Sequence, residues 1–433
     1  MVQVPRIERL AGIECYCTDF AGVGGSIKQA HGGFRVSEVV AESLTRNRSD
    51  SYDEQHRYPL YILEKQGLDS NHALMEIAQK FHIRLRVMGI KDAKAVTVQY
   101  AGAERQSKDP PPELRTAHCT LYLKGFTKRP LDKEFLAGNK FEITVYGAKT
   151  LEVEGFVPEI RRIGNFYGLQ RFGSERLVTH LIGREIIRRD FDKAVELLLS
   201  YTTEYDSAQS RELRDKSSDP ANYARLAGRL PSGMDIERKV MSAIAGGKDS
   251  ISALRAIPIT IRRLYVQAYQ AFIFNKCLSR AVAEGQDLLA AEPGDLCFEM
   301  EDPTTFGRII KFENVERGRL TVPAIRMAGF TFQAGSGARF DRITRAILEE
   351  EGVAPRDFYI KEMQELSQQG GFRQAPLWCT CFSHQISNND NDNNNNNKSQ
   401  HRLAVSFQLP KGSYATTLLR EMLKPEDPIA SGF

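Results

Sequence analysis

The sequence predicts an α+β fold in which a sheet-based unit, built from both ends of the chain, is interrupted by a mainly helical middle segment. Three observations carry that expectation. Period-two alternation marks the first third, as in Phe34-Arg-Val36-Ser-Glu38-Val-Val40 and from Phe141 to Val145. Helical spacing dominates from about Leu177 to Glu350. After a polar excursion, Arg402-Leu-Ala-Val-Ser-Phe-Gln-Leu409 again reads as a strand, and a strand arriving that late needs partners from the N-terminal region.

Taken in order, Gly22-Val-Gly24-Gly25-Ser26-Ile-Lys28 has no nucleotide-loop spacing and reads as a flexible turn. Asn71 to Phe81 reads as a helix, because Ala73, Leu74, Ile77, Ala78 and Phe81 share a face behind the capping candidates Asp69 and Ser70. Strand-like runs cover 83–88 and 95–101, and 105–115, with three prolines, reads as an exposed connection. Long helices are expected at 177–201 and 259–285, where Ile261, Leu264, Tyr265, Ala268, Phe272 and Cys277 form a core stripe. Residues 290–335 return to strand character. The stretch 387–400, with Asn393 to Asn397 in a row, is too polar to bury a core and is expected to be a disordered, solvated loop. A short helix follows at 416–423.

Composition narrows the function. The 433 residues suggest two or three domains at roughly 150 residues each, and 41% hydrophobic with 26% charged residues is ordinary for a globular protein. There is no apolar run of membrane-spanning length, and the N-terminal MVQVPRIERLAG lacks the apolar core of a secretion signal, so a cytoplasmic location is expected. Seven cysteines at 15, 17, 119, 277, 297, 379 and 381 suit reduced thiols. The two C-x-C pairs fit strand alternation better than the C-x2-C wrap of zinc, so no metal is expected. A net charge of +4 is only mildly basic. Between Arg161 and Arg189, however, Arg161, Arg162, Arg171, Arg176, Arg184, Arg188 and Arg189 face only Glu175 and Glu185. That local excess can neutralise phosphates, although a solvated helix face has the same composition.

The chemistry-bearing stretch is Gly89-Ile-Lys91-Asp92-Ala-Lys94-Ala95-Val-Thr97-Val-Gln99, a carboxylate in a tight turn between two lysines. Neighbouring cations keep such an aspartate ionised, and a loop at a strand end can present it to a ligand. A Lys-Asp turn alone is more often a surface turn. Neither H-E-x-x-H nor G-x-S-x-G is present.

G-x-K-D-x-x-A-x-T-x-Q resembles the signature of the tRNA pseudouridine synthase D family. Gly164-Asn165-Phe166-Tyr167-Gly168-Leu-Gln170-Arg171-Phe172-Gly173 resembles its N-Y-F-G-x-Q-R-F-G block, with the two aromatics exchanged. Leu409-Pro410-Lys-Gly412-Ser413-Tyr414-Ala415-Thr416, followed by Leu419-Arg420-Glu421, resembles its C-terminal block, and Lys28 followed by Phe34-Arg-Val36-Ser-Glu38 its first. Upstream of Phe34, His31-Gly32-Gly33 replaces the usual P-x-D.

The resemblance implies a pseudouridine-synthase catalytic domain with a mixed, mainly antiparallel sheet over 1–175 and 379–433, split by an inserted mixed α/β TRUD domain over 176–378. It implies Asp92 as the catalytic residue, supported by Lys28, with Phe34, Asn165 and Tyr414 contacting the target nucleotide. On the alternating strand, Phe34 suits plain core packing equally well. Arg171, Arg184, Arg188 and Arg189 are the candidate RNA-backbone contacts. The implied partner is tRNA, with uridine 13 as target. No cofactor is expected, since isomerisation needs neither a redox step nor an energy source, and a monomer detached from membranes is the expected state. The competing reading is a non-catalytic RNA-binding or RNA-folding protein that keeps a basic groove.

Overall fold

The computed structural model describes residues 2–27, 32–91, 95–150, 152–302, 305–313, 320–333, 337–387 and 402–433. Asp92, Lys94 and Lys28 fall outside them. The fold is α+β. Among the described residues there is a ten-stranded sheet and a separate four-stranded one.

The large sheet uses β1 (Phe34–Val40), β2 (Arg48–Ser49), β3 (Tyr58–Lys65), β4 (Leu85–Val87), β5 (Val96–Ala103), β6 (Glu113–Arg115), β7 (Cys119–Thr127) and β8 (Leu136–Tyr146). The middle of the chain supplies the small sheet: β9 (Leu296–Asp302), β10 (Thr305–Lys311), β11 (Thr321–Met327) and β12 (Gly371–Gln374). The last two strands, β13 (Thr380–Ser387) and β14 (Arg402–Pro410), return to the large sheet, whose order is β13-β14-β8-β1-β5-β3-β7-β2. Among the described residues only β1 and β5 pair in parallel within it, consistent with their long connection.

One face of this sheet is buried. Phe34, Val36 and Glu38 of β1 align with Thr97 of β5 and with Asn139 and Phe141 of β8, which in turn face Leu409 and Phe407 of β14. Two helices cover parts of that face. The Ser70–Phe81 helix packs Ala73 and Ile77 on Tyr61, Leu63 and Ala101. Asp69 caps it by accepting from the amides of Asn71 (2.9 Å) and His72 (3.3 Å). The Ala415–Leu423 helix packs Leu418, Leu419 and Met422 on Phe141, Val405 and Phe407. Between the two helices lie β1 and the start of β5, whose Phe34, Val36, Thr97 and Gln99 are buried.

Three expectations are corrected. The single helix over 177–201 is two, Thr179–Arg188 and Phe191–Ser200, because Arg189 adopts φ 67° and Asp190 then caps the second helix through the amide of Lys193 at 2.9 Å. The connection over 105–115 contains β6, paired with β7. The glycine-rich turn is not a flexible one: Val23 and Gly24 donate to the carbonyls of Met422 and Leu423, and Ser26 bridges to Tyr146. Gly22 and Gly25 hold positive φ there, and a Cβ on them would lie 2.9 Å from the Leu423 carbonyl and 2.7 Å from that of Tyr146.

Ser387 closes β13, and the rest of the asparagine-rich stretch lies outside the described residues. Ser387 pairs directly with Arg402, so the strand ends are already adjacent. Deleting Asn388 to Asn397 leaves Lys398 to His401, a four-residue hairpin loop of common length. Stability in a thermal melt should change by less than about 1 kcal/mol, because loop-closure entropy depends only weakly on length. A large fall would show that the stretch is bound to the fold.

Candidate active site

The four motif blocks meet on this face of the sheet. The segment before Asp92 leaves β4 and passes over β5, where the side-chain amide of Gln99 donates to the Gly89 carbonyl at 3.2 Å. Lys91 is held on both backbone groups: its amide donates to Ser70 Oγ at 2.8 Å, and its carbonyl accepts from the Ser70 amide at 3.2 Å and from Lys65 Nζ at 3.3 Å. Ser70 Oγ in turn donates to Gln99 Oε1 at 2.8 Å, so the Thr-x-Gln end of the motif braces its Lys-Asp end.

The Lys91 ammonium lies 3.2 Å from Glu38 Oε1, and both groups are almost fully buried. Glu38 also accepts the Tyr100 amide at 2.9 Å. Burial pushes the Glu38 carboxyl above its usual range, with Lys91 and that amide pulling the other way. The first block and the Lys-Asp block are thereby joined by an ion pair one residue before Asp92.

The other two blocks meet across the Ala415–Leu423 helix. Thr417 Oγ1 donates to the Phe166 carbonyl at 3.0 Å, and the Tyr167 and Tyr414 rings stand edge to face at 5.9 Å. Burial raises the Tyr414 phenol pKa, so the ring stays neutral. Leu409, Asn139 and Glu38 occupy one rung across β14, β8 and β1. Two strand spacings put the start of the Tyr414 block about 10 Å from Glu38.

Sequence reasoning missed Arg373, on β12. Its Nε and Nη2 both donate to the Asn165 carbonyl (3.1 and 3.0 Å), Nη2 also to Asn165 Oδ1 (3.0 Å), and Nη1 to the Gly412 carbonyl (2.7 Å). Its guanidinium lies 4.0 Å from the centre of the Tyr167 ring. A single arginine in an unremarkable strand carries no local signal. Only the fold brings it between two blocks more than 200 residues apart.

The remaining candidates are placed differently from one another. Phe34 sits in the core, edge-on to Phe141 at 6.4 Å. Asn165 is fully buried with its amide engaged by Arg373 and, at 3.5 Å, by the Gln374 carbonyl, which suits positioning rather than an open base contact. Arg184 donates to Glu185 at 2.7 Å, and Arg188 to the Glu351 carbonyl at 2.5 Å. Arg189 donates to the carbonyls of Asp357 and Tyr359 and lies 3.2 Å from Glu362. Arg188 and Arg189 tie their helix to the 351–362 segment, whereas Arg184 pairs within its own helix. Among the described residues no group of three or more histidine, cysteine, aspartate or glutamate side chains is arranged to hold a metal, and no helix is long and apolar enough to cross a membrane.

Comparison with known proteins agrees with this convergence. The chain is 33% identical to a probable tRNA pseudouridine synthase D of Methanopyrus kandleri over 377 residues, covering 85% of this chain and 86% of that one. It is 28% identical to the protein of the same description from Methanococcoides burtonii, over 98% and 99% of the two chains. A crystal structure of the putative tRNA pseudouridine synthase D from Methanosarcina mazei superposes with a TM-score of 0.77 at 26% identity, covering 97% of this chain and 98% of that one. The sequence model of tRNA pseudouridine synthase D matches residues 10–422, and the chain therefore belongs to the TruD family.

Proposed function

We propose that the protein is a tRNA pseudouridine synthase that isomerises uridine, at position 13 as the family resemblance suggests, with Asp92 as the catalytic residue. The observation that carries the reading is the tether just before that residue: Lys91 is pinned to buried Glu38 on the sheet face that the two helices flank. A carboxylate next to so constrained a residue can be held against a substrate at little entropic cost.

A uridine in folded RNA has to leave its stack before C1′ or the base can be reached, and an aromatic side chain such as Tyr414 can replace the lost stacking. The C1′–N1 bond then breaks, uracil turns in place, C5 bonds to C1′, and the C5 proton is released. Asp92 either attacks C1′ or removes the 2′ proton, and Lys28 keeps it ionised. In this reading residues 1–175 with 379–433 form the catalytic unit, 176–378 the insertion, and a single chain suffices.

One C5 hydrogen leaves per turnover, so tritium release from tRNA labelled as 5-³H-uridine reports the reaction directly. Stoichiometric release by the wild-type protein is the expected result. Tight tRNA binding without release from any tRNA would instead favour the non-catalytic RNA binder.

A further inference from the structure

We infer that Arg171 and Arg373 form a phosphate-binding subsite that grips the RNA backbone beside the target nucleotide. The inference rests on the tRNA-modifying reading above and names where the substrate's charge is met. Both guanidiniums lie against the same ring, Arg373 at 4.0 Å and Arg171 at 5.7 Å from the centre of Tyr167. Among the described residues neither has a carboxylate within 4 Å. Arg373 is deeply buried and Arg171 half-buried, whereas the other deeply buried arginines do have one: Arg420 has Glu8 and Glu421, Arg214 has Glu237, Arg339 has Asp295, and Arg262 has Glu365. A buried cation without a counter-charge is costly, and a ligand anion removes that cost.

The donors are also incomplete. Arg171 Nη2 reaches Gln267 Oε1 at 3.2 Å, but Arg171 Nε is buried with no partner, and so is the Ser413 hydroxyl next to Gly412. Arg373 spends its fork on main-chain carbonyls of Asn165 and Gly412, which fixes its orientation without neutralising it. Burial lowers the Arg373 pKa, Tyr167 and Tyr414 oppose that shift, and Arg171 adds to it. A phosphodiester has two non-bridging oxygens sharing one negative charge, and these accept from planar guanidinium donors and a hydroxyl at once. The subsite adjoins Tyr414, so a phosphate held there leaves the attached base free to stack on that aromatic pair.

The test is Arg171→Gln, with Arg171→Lys beside it, in tRNA binding measured across a range of salt concentrations. Loss of one phosphate contact should weaken binding about tenfold at low salt and reduce the slope of log affinity against log salt by about 0.7 to 0.9. The lysine variant, which keeps charge but not the fork, should retain the wild-type slope and bind with intermediate affinity. Unchanged affinity and slope in Arg171→Gln, with wild-type protein still converting uridine, would overturn the subsite and leave the activity standing. Wild-type protein that neither binds nor converts tRNA would overturn both. If Arg171→Gln does not fold, a lysine variant with altered slope overturns the subsite by itself.

Discussion

Asp92→Asn should eliminate pseudouridine formation, lowering the single-turnover rate by at least about 10³-fold, while tRNA affinity stays within a few-fold of wild type. Asparagine preserves the size of the side chain and much of its hydrogen bonding. It has neither the charge nor the basicity to attack C1′ or to accept the 2′ proton. Lys91, the residue before Asp92, is tethered through its backbone to Ser70 and Lys65 and through its ammonium to Glu38. The fold around the site should therefore survive. Binding should survive as well, since its energy is spread over phosphate contacts and stacking, and removing a negative charge near phosphates reduces repulsion. Tritium release and filter binding on the same preparations give the two numbers. Robust release by the variant would remove Asp92 from its role, and a parallel collapse of binding would make it a folding residue.

The second large effect is on stability. Arg420→Met should destabilise the protein by roughly 3–5 kcal/mol, the usual cost of leaving buried carboxylates without their cation. Arg420 donates through Nε and Nη2 to Glu8 (3.0 and 2.9 Å), through Nη1 to Glu421 (2.5 Å) and through Nη2 to the Cys15 carbonyl (3.0 Å). Glu421 in turn accepts the amides of Cys17 and Thr18. The network ties residues 8–18 to the helix that Tyr414 precedes, so its loss frees both. Burial works against the charge on Arg420, but Glu8 and Glu421 more than reverse this and raise its pKa. Adding Glu8→Gln to Arg420→Met should recover part of the loss, because one stranded carboxylate is then neutral. Denaturant midpoints of the four proteins in that cycle test the claim. A single-variant loss below about 1 kcal/mol would show that the network is solvated.

The same comparison shows how much the sequence disclosed. Wherever a residue's role depends on near neighbours in the chain, the pattern was legible. Alternation marked β1 and β14, Asp69 announced the start of the Ser70–Phe81 helix, and four spaced motif blocks pointed to one family. Asp190 could equally have announced the break at Arg189, since the cap is local, but the apolar stripe on either side hides it.

What only the tertiary structure decided is which charges are spent. Counting along the chain, the arginines from 161 to 189 have two acidic neighbours. In the fold Arg162 reaches Asp19, Arg176 reaches Glu237 and Arg189 reaches Glu362. The apparent basic stripe is largely consumed by carboxylates and carbonyls from distant segments, whereas among the described residues Arg171 and the unsuspected Arg373 have no carboxylate within 4 Å. Secondary structure follows from hydrogen bonds and side-chain spacing within a few residues, and the sequence therefore determines it almost alone. Pairing of a long cation depends on which remote groups the packed core brings within about 4 Å, where low dielectric makes each partner matter, and only the folded chain sets that distance.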